Sequence, residues 1–309
     1  MKKKVAITAP YLQLEWEKHK DSLKDFEIII PPVIERFEED DMIKILGHDV
    51  EGIICGDDRI TEKVIDNAKK LKTIVKWGTG IDSINKKYAE SKGIKVLNTP
   101  DAFITPVSES TIGLMLSIVR KIDENNRSMH EGKWGKIRAL TLSELTIGII
   151  GYGHIGSIVA RKLTSFSDNV IWHDIKPDNE LSEQGNFYGI RVDIPTLLAH
   201  SDIISIHCDL NPSSFHLISE HSIVKMKDGV IIINTARGAV LNEKDIENNL
   251  KNGKIGYVGL DVFETEPLPI DSYFRNSDKC IILSHNTNSS PKYWERVHLN
   301  SIKMLKESI

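Results

Sequence analysis

An α/β protein of two doubly wound, parallel-sheet domains is what this chain predicts, and three observations carry the prediction. Its strand-like runs are apolar throughout instead of alternating, the pattern of strands buried on both faces. They alternate with helix-like segments, as parallel strands joined by crossovers must. They also fall into two sets around a long helical stretch, and 309 residues suit two domains better than one.

The first set of strands is expected at 5–8, 28–30, 52–55, 73–76 and 95–97. The second is expected at 147–150, 170–172, 203–206, 230–233, 257–260 and 281–283. Between them a helix is expected from about 101 to 130, because Ile104, Val107, Met115, Ile118 and Ile122 recur every three or four residues. Ile112, Leu114 and Val119 make further faces apolar, which predicts burial on more than one side. The stretch EGKWG at 131–135 ends it, and a last helix is expected over 291–307.

Net charge is −4 with both signs interspersed, which argues against a nucleic-acid surface. The acidic run 38–41 reads as a solvated helix start. Cys55, Cys208 and Cys280 are odd in number and widely spaced, so free thiols in a reducing compartment are expected, and no metal site. The opening MKKKVAITAP has a basic tip, but Pro10 cuts its apolar run short of a signal-peptide core. No run approaches the ~18 apolar residues of a membrane span. A cytoplasmic protein without a membrane partner is the expectation.

Residues 147–156 read IGIIGYGHIG, a GxGxxG placed directly after a strand and opening a helix over 154–163. Gly151 permits the tight turn, Gly153 lets backbone approach a pyrophosphate, and Gly156 lets helix and strand pack closely. The pyrophosphate would rest on the helix start at His154 and Ile155, favoured by the helix dipole. A second strand follows and ends in Asp174, about 20 residues on, where a carboxylate accepts from the adenine ribose hydroxyls. This is a Rossmann signature. Asp174 favours NAD over NADP, although Lys176 close by softens that exclusion.

The run VIIINTARGAV (230–240) sets the always-charged Arg237 at the end of a buried strand. By position alone it reads either as a surface arginine capping a sheet edge or as the anchor of an anion above the sheet.

Six segments then point the same way: LKTIVKWGTGID (71–82), GIKVLNTPDAFITPVSES (93–110), GIIGYGHIG (148–156), MKDGVIIINTARGAVLNEKDI (226–246), GLDVFETEPLP (259–269) and ILSHN (282–286). Through them the chain resembles the D-isomer-specific 2-hydroxyacid dehydrogenase family along nearly its whole length. The resemblance implies a Rossmann NAD domain (100–285) inserted into a flavodoxin-like substrate domain (1–99 and 286–309), with the active site in the cleft. It implies a homodimer joined by a helical arm, 101–140. The implied reaction is reversible hydride transfer between NAD(H) and C2 of a small D-2-hydroxy acid or 2-keto acid, of 3-phosphoglycerate, glycerate/hydroxypyruvate or D-lactate type. An NAD(H)-sensing, corepressor-like binding protein of the same fold is the alternative.

By the same resemblance, His285 matches the general acid/base and Glu266 the carboxylate that orients it. Glu264 is a rival for that pairing. The family spacing of five residues from the aspartate of LDVF selects Glu266. Arg237 matches the arginine that binds the substrate carboxylate and C2 oxygen. The loop Trp77-Gly78-Thr79-Gly80 matches a second carboxylate anchor built from backbone N–H groups, and Lys76 matches a phosphate-holding position. Thr235, Ala236 and Asp261 match contacts with the nicotinamide and its ribose, and Thr79, Val107 and Cys208 line the same side. Three departures stand out. Asn286 follows the histidine where a small residue is usual, Glu144-Leu145 replaces Gly-Lys, and Cys55 and Phe103 replace an Arg and an Asn. The last pair weakens a 3-phosphoglycerate assignment.

Overall fold

A computed structural model describes residues 2–181 and 187–309. The chain forms two compact units, Met1–Phe103 with Ser289–Ile309, and Ile104–Asn288.

The first unit is built on a five-stranded sheet of β1 (Lys4–Ile7), β2 (Glu27–Ile29), β3 (Val50–Cys55), β4 (Thr73–Lys76) and β5 (Lys95–Asn98). All pairs are parallel and the order is β2-β1-β3-β4-β5, which is the flavodoxin-like order. Val5, Ile7, Ile53, Ile54, Ile74 and Val75 are fully buried, as continuous apolar strands covered on both faces require. Helix Pro291–Ser308 returns the chain's end to this unit. It seats on Gly52, where a Cβ would lie 2.8 Å from Leu305, and Thr73 Oγ1 donates to the Ser308 carbonyl at 3.2 Å.

The second unit holds a seven-stranded sheet of β6 (Ile147–Ile150), β7 (Val170–His173), β8 (Ile190–Arg191), β9 (Ile203–Ile206), β10 (Val230–Asn234), β11 (Ile255–Leu260) and β12 (Cys280–Ile282). It too is parallel throughout, in the order β12-β11-β10-β9-β6-β7-β8. Strand order reverses at β6, so the crevice at the carboxyl ends of β6 and β9 is where ligands bind in such sheets. The edge strand β8 has no counterpart among the expected strands. It is two residues long and Ile190 is exposed, so it lacks the buried apolar run that marks the others.

The single helix expected over 101–130 is two helices, Ile104–Val119 and Ile122–His130. Lys121 breaks it by adopting a left-handed backbone (φ +56°), with its ammonium 3.5 Å above the Tyr257 ring. The first helix buries Val107, Thr111, Met115 and Ile118 among others, whereas the second buries nothing and leaves Ile122 exposed. The apolar stripe that suggested one helix therefore ends at Val119.

Candidate active site

The glycine turn follows β6. Gly151 has φ +90°, and a Cβ there would lie 2.5 Å from the backbone nitrogen of Cys208, so no side chain fits. A Cβ at Gly156 would come within 2.0 Å of the Gly151 carbonyl oxygen, so helix His154–Leu163 sits directly on the turn. At Gly153, by contrast, a Cβ would meet no protein atom within 4 Å. No side-chain oxygen caps the helix, so its positive end at His154 and Ile155 meets that open space. This cradle fits a dinucleotide pyrophosphate.

Asp174, just past β7, closes the cradle. Its Oδ2 accepts from the Tyr152 N–H at 2.6 Å and its Oδ1 from the Lys176 N–H at 2.9 Å. The carboxylate thus ties β7 to the glycine turn. Beneath it Tyr152 stacks on Trp172 with ring centroids 4.0 Å apart. Cys208 flanks the turn, and burial pushes its thiol up to about 11, so it packs as a neutral group. Val107 is buried in helix Ile104–Val119 and its carbonyl accepts from Thr111 Oγ1. That hydroxyl also lies 3.0 Å from Thr235 Oγ1, which links Val107 to the end of β10.

The second cluster forms at the carboxyl ends of β10, β11 and β12. His285 Nδ1 lies 2.9 Å from Glu266 Oε2, and Glu266 Oε1 accepts from the Phe263 N–H at 2.9 Å. Both side chains are about a quarter exposed (23% and 25%), sheltered enough to strengthen the pair and open enough to meet a ligand. His285 sits in the left-handed region, φ +54°, which costs on the order of 1 kcal/mol or more. Asp261 holds it there. Its carbonyl accepts from the His285 N–H, its Oδ1 from Asn286 N–H at 2.7 Å, and its Oδ2 from both the N–H and the hydroxyl of Thr287. Asp261 is fully buried, so these charge-assisted bonds offset the strain. The family resemblance sets Asp261 beside the nicotinamide and its ribose, and both of its carboxylate oxygens also engage the loop that follows His285, of which the Asn286 backbone is part.

Arg237 follows β10. Asn234 is fully buried and shapes the turn: its Oδ1 accepts from the Ala236 N–H at 3.0 Å and its Nδ2 donates to the Arg237 carbonyl at 2.8 Å. Its own carbonyl accepts from the Asp261 N–H. Asn234 is not among the residues that the sequence motifs single out, although an amide ending an apolar strand is the signal for such a side-chain turn. Arg237 itself is half-buried and donates one guanidinium N–H to the Ala236 carbonyl at 2.8 Å. At Gly238 a Cβ would lie 1.9 Å from the Phe263 carbonyl carbon. The arginine turn is therefore pressed against the loop that carries Glu266.

In the first unit, β4 ends at Lys76 and runs into Trp77-Gly78-Thr79-Gly80. Gly78 has φ +115°, its carbonyl accepts from the Thr99 N–H, and Thr79 donates its hydroxyl to the Thr99 carbonyl. Lys76 is a buried cation, 3.1 Å from Asp57 Oδ1 and 3.1 Å from the Trp77 carbonyl. Trp77 packs among Tyr11, Phe103 and Trp294, and its indole N–H donates to His298 Nδ1 at 2.9 Å.

Below Trp77, one ligand atom each from Glu15, His19 and His298 converges within 4.8 Å, a spacing a metal ion accepts. The Trp77 bond argues against one. An indole N–H only donates, so it occupies the Nδ1 lone pair and leaves the proton of neutral His298 on Nε2. That nitrogen then offers a hydrogen where a metal needs a lone pair.

The model of the D-isomer specific 2-hydroxyacid dehydrogenase NAD binding domain matches residues 112–287. The chain belongs to that family. A hydroxypyruvate reductase of Thermotoga maritima is 39% identical over 281 residues, spanning 88% of this dehydrogenase and 89% of the relative. A glyoxylate reductase of Thermofilum pendens is 33% identical over 265 residues, spanning 81% and 75%. Among solved structures, D-lactate dehydrogenase of Aquifex aeolicus, complexed with NAD and lactic acid, superposes with a TM-score of 0.84 at 28% identity, covering 98% of this chain and 94% of that one. The dehydrogenase is an NAD-dependent oxidoreductase of 2-hydroxyacids, and its second unit carries the NAD-binding fold. Among the described residues no helix is long and apolar enough to cross a membrane.

Proposed function

We propose that this dehydrogenase reduces a small, unphosphorylated 2-keto acid of the glyoxylate or hydroxypyruvate class to the D-2-hydroxy acid. The single observation that carries the chemistry is the Glu266–His285 pair, 2.9 Å apart, with His285 on a loop pinned by buried Asp261. The surroundings of the first unit's loop support the unphosphorylated substrate. Lys76 is already paired with Asp57, the Cys55 thiol is buried against the Val75 carbonyl, and Phe103 packs on Trp77. None of them presents a spare cation for a phosphate dianion. The names of the Thermotoga and Thermofilum relatives support the same class.

In this reading Arg237 grips the substrate carboxylate and polarises the C2 oxygen, with a charge no working pH removes. N–H groups of Trp77-Gly78-Thr79-Gly80, backed by Lys76, form the second anchor. NADH, when bound, supplies the hydride that C2 accepts. His285 gives its Nε2 proton to the C2 oxygen as the new C–H bond forms, and Glu266 steadies the ring through Nδ1. Gly151, Gly153, Gly156, His154 and Ile155 hold the pyrophosphate, and Asp174 the adenine ribose. Thr79, Val107, Cys208, Thr235, Ala236 and Asp261 complete the nicotinamide side.

A homodimer through the 101–140 arm belongs to the same proposal. Met129 and Leu140 are half-exposed and Trp134 is 91% exposed, apolar surface of the kind that interfaces cover. A cytoplasmic location accords with three free cysteines. The test is NADH oxidation with glyoxylate, hydroxypyruvate, pyruvate and phosphohydroxypyruvate. The reading expects the first two to lead in kcat/KM. Preference for phosphohydroxypyruvate would overturn the substrate class, and turnover of none would overturn the reaction.

A further inference from the structure

Two residues before Glu266 stands a second carboxylate with its own histidine. His216 Nε2 lies 2.7 Å from Glu264 Oε1, and neither belongs to the cradle or to the His285 pair. A chain of fixed donors orients this contact. Asn242 caps helix Glu243–Asn252, its Oδ1 accepting from the Asp245 N–H at 3.1 Å. Its Nδ2 therefore faces away from the cap and toward His216 Nδ1, at 3.4 Å. With Nδ1 an acceptor, the proton of neutral His216 sits on Nε2 and is donated to Glu264. The contact needs no protonation of the ring.

Glu264 is also gripped from the helix. Its N–H donates to Glu243 Oε1 at 2.7 Å, and the Glu243 N–H reaches back to Glu264 Oε1 at 3.4 Å. His216 is itself pinned in the left-handed region, φ +50°, with its N–H on the Ala239 carbonyl and its ring stacked on Phe215 at 4.0 Å. The turn thus clamped is the one in which the Phe263 N–H meets Glu266 Oε1.

We propose that His216 is a positioning residue of the dehydrogenase reaction, holding Glu266 against His285 through Glu264 and the Phe263–Glu266 turn. The proposal rests on the reading of Glu266–His285 as the proton-transfer pair. The charged groups around His216 are Glu264 and Glu243, with Glu266 and His285 beyond them.

The experiment measures kcat, KM and their pH profiles for 2-keto acid reduction, with NADH affinity alongside. His216→Asn is the deletion, because asparagine tolerates the left-handed backbone and is too short to reach Glu264. His216→Gln is the conservative variant, able to donate to the same oxygen. Glu266→Gln should cut kcat and move the alkaline limb to lower pH, since the histidine loses its carboxylate. His216→Asn should move that limb the same way and lower kcat by between about tenfold and a hundredfold, with KM and NADH affinity unchanged. His216→Gln should recover most of the loss, and His216→Asn should add nothing in the Glu266→Gln background. An unmoved limb in His216→Asn, no recovery with Gln, or an additive double variant overturns the proposal while leaving the pair intact. An unmoved limb in Glu266→Gln overturns the pair itself, and the proposal with it.

Discussion

Gly238 touches no ligand in any reading of this site, yet Gly238→Ala should nearly silence the enzyme. The new Cβ would lie 1.9 Å from the Phe263 carbonyl carbon, 2.1 Å from its oxygen and 2.4 Å from the Glu264 nitrogen. All three are backbone atoms, so no rotamer change relieves the clash. Ordinary contact begins at 3.4 Å, so the two segments must part by about 1.5 Å. One segment carries Arg237 and the other Glu266. A misplacement of about 1 Å costs on the order of a hundredfold in rate, or about 2.7 kcal/mol of barrier. We therefore expect kcat/KM for 2-keto acid reduction to fall at least about a hundredfold. Overpacking should also cost roughly 1–3 kcal/mol of stability, visible as a lower Tm. NADH affinity, read by fluorescence, should survive because the glycine turn at 151–156 is separate. Wild-type kcat/KM in a folded Gly238→Ala variant would refute the claim that this contact sets the site's geometry.

Arg237→Ala should lower kcat/KM by about a thousandfold while sparing NADH binding; unchanged efficiency would remove its carboxylate role. Asp174→Ala should erode the preference for NADH over NADPH by about tenfold or more, a charge-assisted bond being at stake; an unchanged cofactor ratio would count against the ribose contact. Burial, aided by the nearby His19, pushes fully buried His298 down to about 4. The unfolded chain takes up that proton below about pH 6.5. Stability from this group is therefore complete above pH ~6.5 and declines toward pH 4, by up to about 1.4 kcal/mol per pH unit. Urea midpoints across that range should show the slope flattened in His298→Gln, and an identical slope would refute the assignment.

Much of the architecture was legible because it is local. Continuous apolar runs such as VIIIN and IGII can be satisfied only where both faces are covered, which selects parallel sheets with crossover helices. The GxGxxG turn is readable for the same reason, since Gly151 and Gly156 answer backbone contacts only a few residues away or across one strand, while Gly153 faces open space at the helix start. Two local features escaped. The edge strand at Ile190–Arg191 is too short and exposed to leave a pattern, and the left-handed Lys121 splits a stripe that periodicity alone carries through.

By itself the sequence determined two parallel α/β sheets and a dinucleotide turn, and its family resemblance singled out Arg237, Glu266 and His285 as candidates for the site. Tertiary structure decided what each polar group spends itself on. Strand register brings β10, β11 and β12 to one edge, and with it Asp261 to the Asn286–Thr287 backbone and Gly238 to Phe263. It also hands Lys76 to Asp57, Trp77 to His298 and Glu264 to His216. The physical reason is one of range. Burial is written in the spacing of neighbours along the chain, whereas a hydrogen-bond partner is chosen by segments tens or hundreds of residues apart that meet only once the sheets are assembled.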